Sequence, residues 1–145
     1  EAQWEWAATG GDGRRWPWGD EFPTCEYADF TIGPLVSPGG DSGCHGGGTS
    51  PVKSHPRGNK VWPGGALHDL GGNVWEWCAD YYHNNYQEAP SDGSIWLING
   101  NEEGRILRGG SWNSPPNICR SASRFFGNPS SSNKNVGFRV VCSFV

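Results

Sequence analysis

The sequence predicts a loop-rich domain of the α+β class, and its composition supports this assignment. The 145 residues fit a single domain, and their 23 Gly and 11 Pro favour turns and irregular backbone over long helices. Only 34 % of the residues are hydrophobic, but 9 Trp, 6 Phe and 4 Tyr bury large areas and can replace many aliphatic side chains in a core. A disordered Gly-rich chain is the weaker interpretation, because disordered segments are poor in aromatic residues. Helical and strand patterns both occur along the chain, which gives the α+β class.

The first segment, Glu1 to Ala8, is predicted to be the end of a helix. Its Ala and Glu residues favour helical backbone, and Trp4 and Ala7 lie on one face. Gly10 and Gly11 can supply the left-handed conformation that ends many helices.

Residues 12 to 66 hold most of the Gly and Pro, and we expect long loops and short strands there rather than a linker. Structureless stretches of this length inside a domain are often functional or stabilised by an ion. Aromatic residues recur through the stretch and are predicted to anchor it: Trp16, Trp18, Phe22, Tyr27, Phe30 and Trp62.

The second half of the chain carries the strand patterns. Asn73 to Trp77 is predicted to form a compact turn whose two Trp residues anchor the core. Tyr81 to Gly104 is polar and loop-like, and Arg105 to Leu107 is a short strand candidate. The tail, Gly137 to Val145, alternates and is predicted to be a terminal strand with one face in the core, formed by Phe138, Val140, Cys142 and Phe144.

The charge pattern excludes some classes of partner. The net charge is -4 and no basic block occurs, which argues against nucleic acid and anionic membranes as partners. No apolar run reaches the roughly 18 residues of a membrane span, so no membrane insertion is expected. No signal peptide is visible, and the chain starts at Glu1 without Met, so we expect the natural N-terminus to lie upstream; the localisation stays undetermined.

Five cysteines occur, and they form no CxxC pair, which disfavours a zinc ribbon. A domain of this size does not need a disulfide framework, so reduced and mostly buried thiols are the expectation. One structural disulfide remains open, and the sequence does not assign it.

Four parts of the chain resemble one family in both order and spacing. They are EAQWEWAA at Glu1 to Ala8, GGNVWEW at Gly71 to Trp77, RGGSW at Arg108 to Trp112, and a closing block of RSASR at Arg120 to Arg124 with GFRVV at Gly137 to Val141. The family is that of the sulfatase-modifying factors, which includes the formylglycine-generating enzyme. The resemblance implies an irregular, loop-rich C-type lectin fold. It also implies that residues 1–145 are the C-terminal portion of one such domain, whose N-terminal strands and first helix are absent from this chain.

The resemblance also implies how an enzyme of this family would work, and the chain departs from that pattern. The family's oxidase binds copper through two cysteines after RGGS, whereas Ser114 stands at the first of these positions and Cys119 lies near the second. A hydroxyl cannot replace a soft thiolate on Cu(I), so we expect no copper site and no catalytic residues. An iron site like that of the related sulfoxide synthases is disfavoured too, because the histidines are scattered singly.

Calcium is the cofactor that the resemblance implies, and we expect it to be structural. One site would use the side chains of Asp69 and Glu76 with the carbonyls of Gly72 and Val74. The alternative is that the two carboxylates cap local backbone N–H groups. A second site would use Asp29, the carbonyl of Phe30 and Asp41.

The segment 113–136 has the composition of a binding surface. It is built of Asn, Ser, Pro and Gly between two family blocks, and Phe125 and Phe126 stand side by side within it. Adjacent side chains point different ways, so both rings cannot easily enter one core, and we expect at least one to be exposed. Exposed aromatic rings among Asn and Ser suit ligand recognition.

The same segment resembles the variable region of proteins diversified by retroelements, which place varied residues on the ligand face of this fold. Their diversification starts from Asn codons and cannot produce Trp, Glu or Gln, and residues 113–136 contain none of these three. The resemblance implies the following variable, ligand-binding positions: Asn113, Ser114, Asn117, Ile118, Ser123, Phe125, Phe126, Asn128 and Asn135. The partner would be a protein or cell-surface ligand. Three alternatives stay open: an inactive family member with a polar loop, a formylglycine-generating oxidase acting on a cysteine, and a noncatalytic module that works with an N-terminal fragment or a fused domain.

Overall fold

The structure is a computed structural model that describes residues 1–32 and 43–142, and it has the predicted α+β composition. Its regular elements are α1 (Ala2–Thr9), β1 (Lys60–Trp62), β2 (Gly65–Leu67), β3 (Trp75–Tyr82), β4 (Asn101–Arg108), β5 (Arg124–Gly127) and β6 (Val136–Gly137). Two short 3₁₀ helices lie at Pro56–Gly58 and Pro116–Ile118. Loops make up most of the remaining described chain, as the Gly and Pro content predicts.

The N-terminal helix is confirmed to within one residue. It ends at Gly10, which has a left-handed φ of 72° and donates its backbone N–H to the carbonyl of Trp6 at 2.7 Å. Trp4 packs with Ala8 and Leu70 in a small buried cluster. Its indole N–H also donates to the buried carboxylate of Glu76 at 2.7 Å, which ties the helix to the sheet.

Four strands form the main sheet, in the order β5-β4-β3-β6. The pairs β3–β4 and β4–β5 are antiparallel, whereas β6 runs parallel to β3. The strand predicted at Arg105 to Leu107 is confirmed and extends over Asn101–Arg108. β1 and β2 form a separate antiparallel hairpin.

The predicted turn at Asn73 to Trp77 is correct only at its first residues. Asn73 has a positive φ of 61°, but β3 begins at Trp75 and runs on to Tyr82. The predicted loop of Tyr81 to Gly104 is correspondingly shorter and covers residues 83–100. The cause is the aromatic content of Trp75 to Tyr82, which suits a half-buried strand paired on both sides.

The prediction of a terminal strand over Gly137 to Val145 is wrong for the described residues. β6 contains only Val136 and Gly137, and residues 138–142 are not in a strand. Phe138 and Val140 are exposed rather than buried in the core. Alternation specifies two faces but does not supply a neighbouring strand, and backbone groups need such a neighbour to form a ladder. Residues 143–145, with Phe144, lie outside the described residues.

The loop region before β1 is held by a second buried cluster and by a disulfide. Ala28, Phe30 and Cys119 form the cluster, with Trp18 and Cys44 packed against it. Cys44 is bonded to Cys25, so the expectation of reduced thiols is wrong for this pair, and the disulfide that the sequence left unassigned joins these two residues. The other three cysteines are free thiols. Among the predicted anchors, Trp16 and Phe30 are buried, whereas Phe22 is exposed and meets Trp16 edge-on.

Across the described ranges, the longest helix is the eight-residue α1, and none is long and apolar enough to span a bilayer.

Candidate functional site

A groove opens on one face of the main sheet, where the end of β5 meets the loop that leads to β6. Its volume is about 320 Å³. We call it the aromatic groove and define it by its lining residues: Trp75, Trp77, Leu107, Phe125, Phe126, Gly127, Asn128, Ser131, Asn133, Asn135 and Val136. Four of these residues, two Phe and two Asn, are among the ligand-binding positions predicted from the sequence.

The floor of the groove follows from the strand register. Leu107 on β4 pairs with Trp77 on one side and with Phe125 on the other, so the three side chains form a row across one face of the sheet. Gly127 lies on the same face of β5, two residues after Phe125. A Cβ at Gly127 would come within 3.0 Å of the Trp77 ring, so the missing side chain makes room for the indole.

The two adjacent Phe residues are both exposed, which confirms the expectation that at least one would be. Phe125 is 55 % exposed and its ring lies 5.6 Å from that of Trp75. Phe126 is 41 % exposed and stacks on Tyr82 at 4.2 Å. Each ring is therefore supported by an aromatic neighbour on β3 while it presents its outer surface to solvent. Such rings offer contact area with little loss of side-chain entropy on binding.

Amide side chains connect the loop of the groove to the scaffold. Asn113 accepts hydrogen bonds at Oδ1 from the Ser111 hydroxyl at 2.8 Å and from Nδ2 of Asn135 at 3.0 Å. The carbonyl of Asn135 accepts the backbone N–H of Trp75 at 2.9 Å, which fixes the loop next to β3. Asn128 is exposed and caps a turn by accepting the N–H of Ser130 at 2.8 Å.

The remaining predicted positions lie outside the groove. Asn117 is exposed, and Ile118 and Ser123 are half-buried around the second 3₁₀ helix. Ser114 departs from the prediction, because its hydroxyl is buried against Ser111 at 2.9 Å and accepts that residue's N–H. The Ser114 side chain therefore stabilises the turn after Ser111 and is the one buried residue among the nine predicted positions.

Sequence reasoning missed part of the groove. Both Trp75 and Trp77 were expected in the core. Trp75 is buried, as expected, but it also borders the groove, whereas Trp77 is only half-buried. Their spacing of two residues places both on one face of a strand, which was the available signal once a strand rather than a turn is assigned.

The electrostatic character of the groove is neutral. No Lys, Arg, Asp or Glu occurs among its lining residues, all of which belong to the described part of the chain. Charged ligands would lose hydration there without gaining an ion pair. The lining suits an uncharged, partly apolar ligand segment.

The family's copper position looks different in this chain. Cys119 is completely buried against Ala28 and Phe30, and burial raises the pKa of its thiol to about 12. Within the described residues, the other sulfur packed on that cluster belongs to Cys44, which is held in the disulfide with Cys25. A neutral buried thiol beside a disulfide is a poor nucleophile and a poor metal ligand.

The first predicted calcium site does not fit its residues. Glu76 accepts hydrogen bonds from Nε of Arg139 at 2.9 Å and from the indole of Trp4 at 2.7 Å, so its charge is already compensated. Asp69 accepts the backbone N–H of Lys53 at 2.7 Å, which is the capping role given as the alternative. A guanidinium bound to Glu76 would compete with Ca²⁺ for the same oxygens.

The second predicted calcium site is defined only in part. Asp29 is fully buried and accepts from the Cys44 N–H at 3.1 Å and the Ser50 hydroxyl at 2.6 Å, which are both neutral donors. A buried carboxylate with neutral donors suits a cation ligand, but Asp41 lies outside the described residues. Within residues 1–32 and 43–142, no group of three or more His, Cys, Asp or Glu side chains is arranged so that it could hold a metal ion. Calcium at this site stays a prediction.

Comparisons with known proteins agree on one family. The family described as "Sulfatase-modifying factor enzyme 1-like domain" matches residues 1–144 of the chain. A protein of Streptomyces coelicolor named "Formylglycine-generating enzyme" is 38 % identical over 96 % of this chain and 44 % of its own length.

Two solved structures are also similar. The structure of PvdO from Pseudomonas aeruginosa has a TM-score of 0.70 and 33 % identity, and it covers 94 % of this chain and 48 % of that chain. The Treponema denticola variable protein 1 has a TM-score of 0.61 and 27 % identity, covering 94 % of this chain and 44 % of that one. The chain thus spans slightly less than half the length of each of these three relatives. These neighbours confirm the irregular C-type lectin fold of the formylglycine-generating-enzyme type.

Proposed function

The chain belongs to the sulfatase-modifying factor enzyme 1-like family, and on that scaffold we propose that it is a noncatalytic, ligand-binding variable protein of a diversity-generating retroelement. The aromatic groove would bind a protein or cell-surface ligand, and the side chains of segment 113–136 would set its specificity. The observation that carries this proposal is the exposure of Phe125 and Phe126 on a supported aromatic floor.

The arrangement of the segment supports a display role. Its start follows Trp112, which is buried, and its end enters β6 at Val136, so both ends are held by the scaffold. Between these ends, eight of the nine predicted positions are at least partly exposed, and Ser114 is the exception. Exposed positions tolerate substitution because surface changes usually alter stability by less than about 0.5 kcal/mol. A framework of this kind can vary its contact residues without unfolding.

The similarity to the Treponema denticola protein supports the proposal from outside the chain. Its name describes a variable protein, and its structure is similar over 94 % of this chain. We propose that segment 113–136, which the sequence predicts to be variable, has the corresponding role in this chain.

Sequencing many independent copies of the gene tests the retroelement part of the proposal. We expect substitutions to concentrate at the eight exposed or half-exposed positions, while Trp75 and Trp77 stay fixed. Ser114 should change rarely and only to small residues, since its hydroxyl is buried. Substitutions spread evenly over the chain would contradict the proposal. A reverse-transcriptase gene and a near-repeat of the 3′ end beside the gene would support it further.

Peptide selection on the immobilised protein tests the binding role of the groove. Selected peptides should carry an aromatic or aliphatic anchor and no clustered charge, as the neutral lining requires. Phe125→Ala should weaken their binding by at least tenfold, or about 1.4 kcal/mol. Val61→Ala, at an exposed apolar residue on the β1–β2 hairpin, is the control and should leave binding unchanged. Equal loss in both variants would contradict a specific groove.

A copper-dependent oxidase acting on a cysteine is the second candidate, and the name of the Streptomyces relative favours it. The buried hydroxyl of Ser114 and the buried thiol of Cys119 argue against it. Copper titration of the protein separates the two functions. We expect no stoichiometric Cu(I) binding that depends on Cys119. Tight Cu(I) binding that is lost in Cys119→Ala would instead support the oxidase function.

A further inference from the structure

A second cavity lies on the loop of residues 83–100 that joins β3 to β4. Its volume is about 520 Å³, and the groove described above is smaller. We call it the loop pocket and define it by six of its lining residues: Tyr82, Asn84, Gln87, Glu88, Trp96 and Asn99. None of the positions predicted from the sequence to bind a ligand lines this pocket.

The floor of the loop pocket is rigid. The ring of His83 lies flat on the ring of Trp96, with centroids 3.5 Å apart and an interplanar angle of 5°. Its two nitrogens lie 3.0 Å from the carbonyl oxygen of Tyr81 and 2.9 Å from that of Ile98, and the protonated nitrogen donates to the carbonyl it faces. A Cβ at Gly100 would come within 2.6 Å of the His83 ring, so only glycine leaves space for this stack. A floor fixed in this way loses little freedom when a ligand binds.

The rim of the pocket is polar and lacks internal partners. Asn84, Gln87, Glu88 and Asn99 are exposed, and their side chains form no hydrogen bond with any other part of the described chain. Glu88 and Asn99 also have positive φ values of 66° and 60°. Non-glycine residues adopt this conformation at a cost, and such residues collect at ligand sites. The ordered floor therefore carries polar side chains whose donors and acceptors are open to solvent or to a ligand.

The chemistry of the rim selects the ligand. Each amide side chain carries both donors and an acceptor, which matches hydroxyl groups that donate and accept at once. No Lys or Arg lines the cavity and Glu88 is its single charged group, so anionic ligands are disfavoured. The Tyr82 ring, supported by its stack on Phe126, supplies an aromatic wall for the C–H face of a sugar ring.

We propose that the loop pocket binds an uncharged saccharide through Asn84, Gln87 and Asn99, with Tyr82 as the stacking wall. This site lies on the scaffold loop and meets the diversified segment at the Tyr82–Phe126 stack. A protein ligand in the aromatic groove and a sugar in the loop pocket would sit on opposite sides of the Tyr82–Phe126 stack. The two sites together would suit a glycosylated surface ligand.

Nuclear magnetic resonance titration with neutral oligosaccharides tests the proposal, with maltotriose and N,N′,N″-triacetylchitotriose as probes. At about 10 mM, a concentration that reveals millimolar affinities, we expect shifts of backbone amides confined to residues 82–101. The double variant Asn84→Ala/Gln87→Ala should weaken binding at least tenfold and still fold, because both side chains are exposed and unbonded and neither residue has a positive φ. Phe125→Ala should leave the saccharide response unchanged, which separates this site from the groove.

Two outcomes would overturn the proposal. One is the absence of amide shifts with both probes. The other is a set of shifts that maps to the groove, disappears in Phe125→Ala and persists in the double variant. A sialylated trisaccharide serves as the matched anionic probe, and binding as tight as that of the neutral sugars would contradict the role given to Glu88. Failure of the peptide selection described for the groove would leave these results unaffected.

Discussion

The backbone at Gly58 lies directly against the backbone of Tyr27. A Cβ on Gly58 would lie 1.6 Å from the carbonyl oxygen of Tyr27, so the Tyr27 loop must move to admit even a methyl group. We expect Gly58→Ala to lower the free energy of unfolding by about 3 kcal/mol or more, as for severe overpacking. Gly48→Ala is the matched control, because a Cβ there meets no atom within 4 Å. Urea unfolding measures both, and equal midpoints would show that the loop yields freely.

The free thiols differ in their surroundings, which predicts an order of reactivity. Burial raises the pKa of Cys119 to about 12 and that of Cys78 to about 11, whereas Cys142 is exposed. Burial therefore keeps the Cys119 thiol neutral at about pH 8, and the thiolate is the reactive form. We expect iodoacetamide to modify Cys142 first and Cys119 only on unfolding, as read by peptide mass spectrometry. Comparable rates at Cys119 and Cys142 in the native protein would contradict this burial.

The exposure of single residues in the site was predictable where two adjacent side chains could not both be buried. Phe125 and Phe126 cannot both enter one core, and that geometric rule correctly exposed at least one of them. Ser114 was not predictable, because its burial depends on a hydrogen bond with Ser111 across a turn. Small polar side chains satisfy such turns or face solvent with equal ease, and only the fold decides between the two.

Sequence patterns predicted a helix or strand correctly when the groups that stabilise it lie close by in the sequence. The helix ended where Gly10 allowed it, since a helix and its cap are local. The tail after Gly137 alternates as a strand does, yet the described residues there pair with nothing beyond β6. Strand formation depends on a neighbouring strand, which composition does not reveal. For the same reason, the residues from Trp75 onward form the start of β3, where the sequence predicted a turn.

The attachment of α1 to the sheet depends on a buried arginine in β4. Arg108 is fully buried and donates to the carboxylate of Glu5 at 2.5 Å and to the carbonyl of Ser121 at 2.8 Å. Arg108→Ala would remove the guanidinium from the half-exposed Glu5 and from the buried side chain of Glu1, which keeps Arg124. It would also leave the buried carbonyl of Ser121 without its donor, so we expect a loss of about 2–3 kcal/mol in the free energy of unfolding. Arg105→Ala in the same strand removes a more exposed cation over Tyr81 and should cost less than about 1 kcal/mol. Urea unfolding that gives similar losses for both would rule out the buried anchor.

For the whole molecule, the family motifs predicted the fold because they fix the core blocks in order. GGNVWEW and RGGSW supply β3 and the end of β4, which pair in the centre of the sheet. The connections between blocks were beyond sequence reasoning. The pairing of Cys25 with Cys44 is one example, since five cysteines allow several pairings and spacing does not choose among them.

Calcium binding at the second predicted site would act on the stability of the whole chain. If Asp29 and the carbonyl of Phe30 hold Ca²⁺, the ion binds only the folded state and raises the melting temperature. We expect EDTA to lower that temperature and added Ca²⁺ to restore it. Asp69→Asn should leave this response intact, because Asp69 caps the Lys53 N–H instead. A melting temperature that EDTA does not change would show that calcium does not stabilise this protein.

The disulfide stabilises the chain by restricting its unfolded state. Cys25 and Cys44 are 19 residues apart, and closing a loop of that size is worth about 3 kcal/mol in the chain-entropy description. The bond also fixes Cys44, whose backbone N–H donates to the buried carboxylate of Asp29 at 3.1 Å. We therefore expect Cys25→Ser/Cys44→Ser to unfold at lower urea concentration, with dithiothreitol bringing the parent to the same midpoint. Cys142→Ser, at an exposed free thiol, is the matched control and should unfold like the parent. A parent protein whose midpoint ignores dithiothreitol would show that the bond adds nothing, and the loop before β1 would then depend on the Phe30 cluster alone.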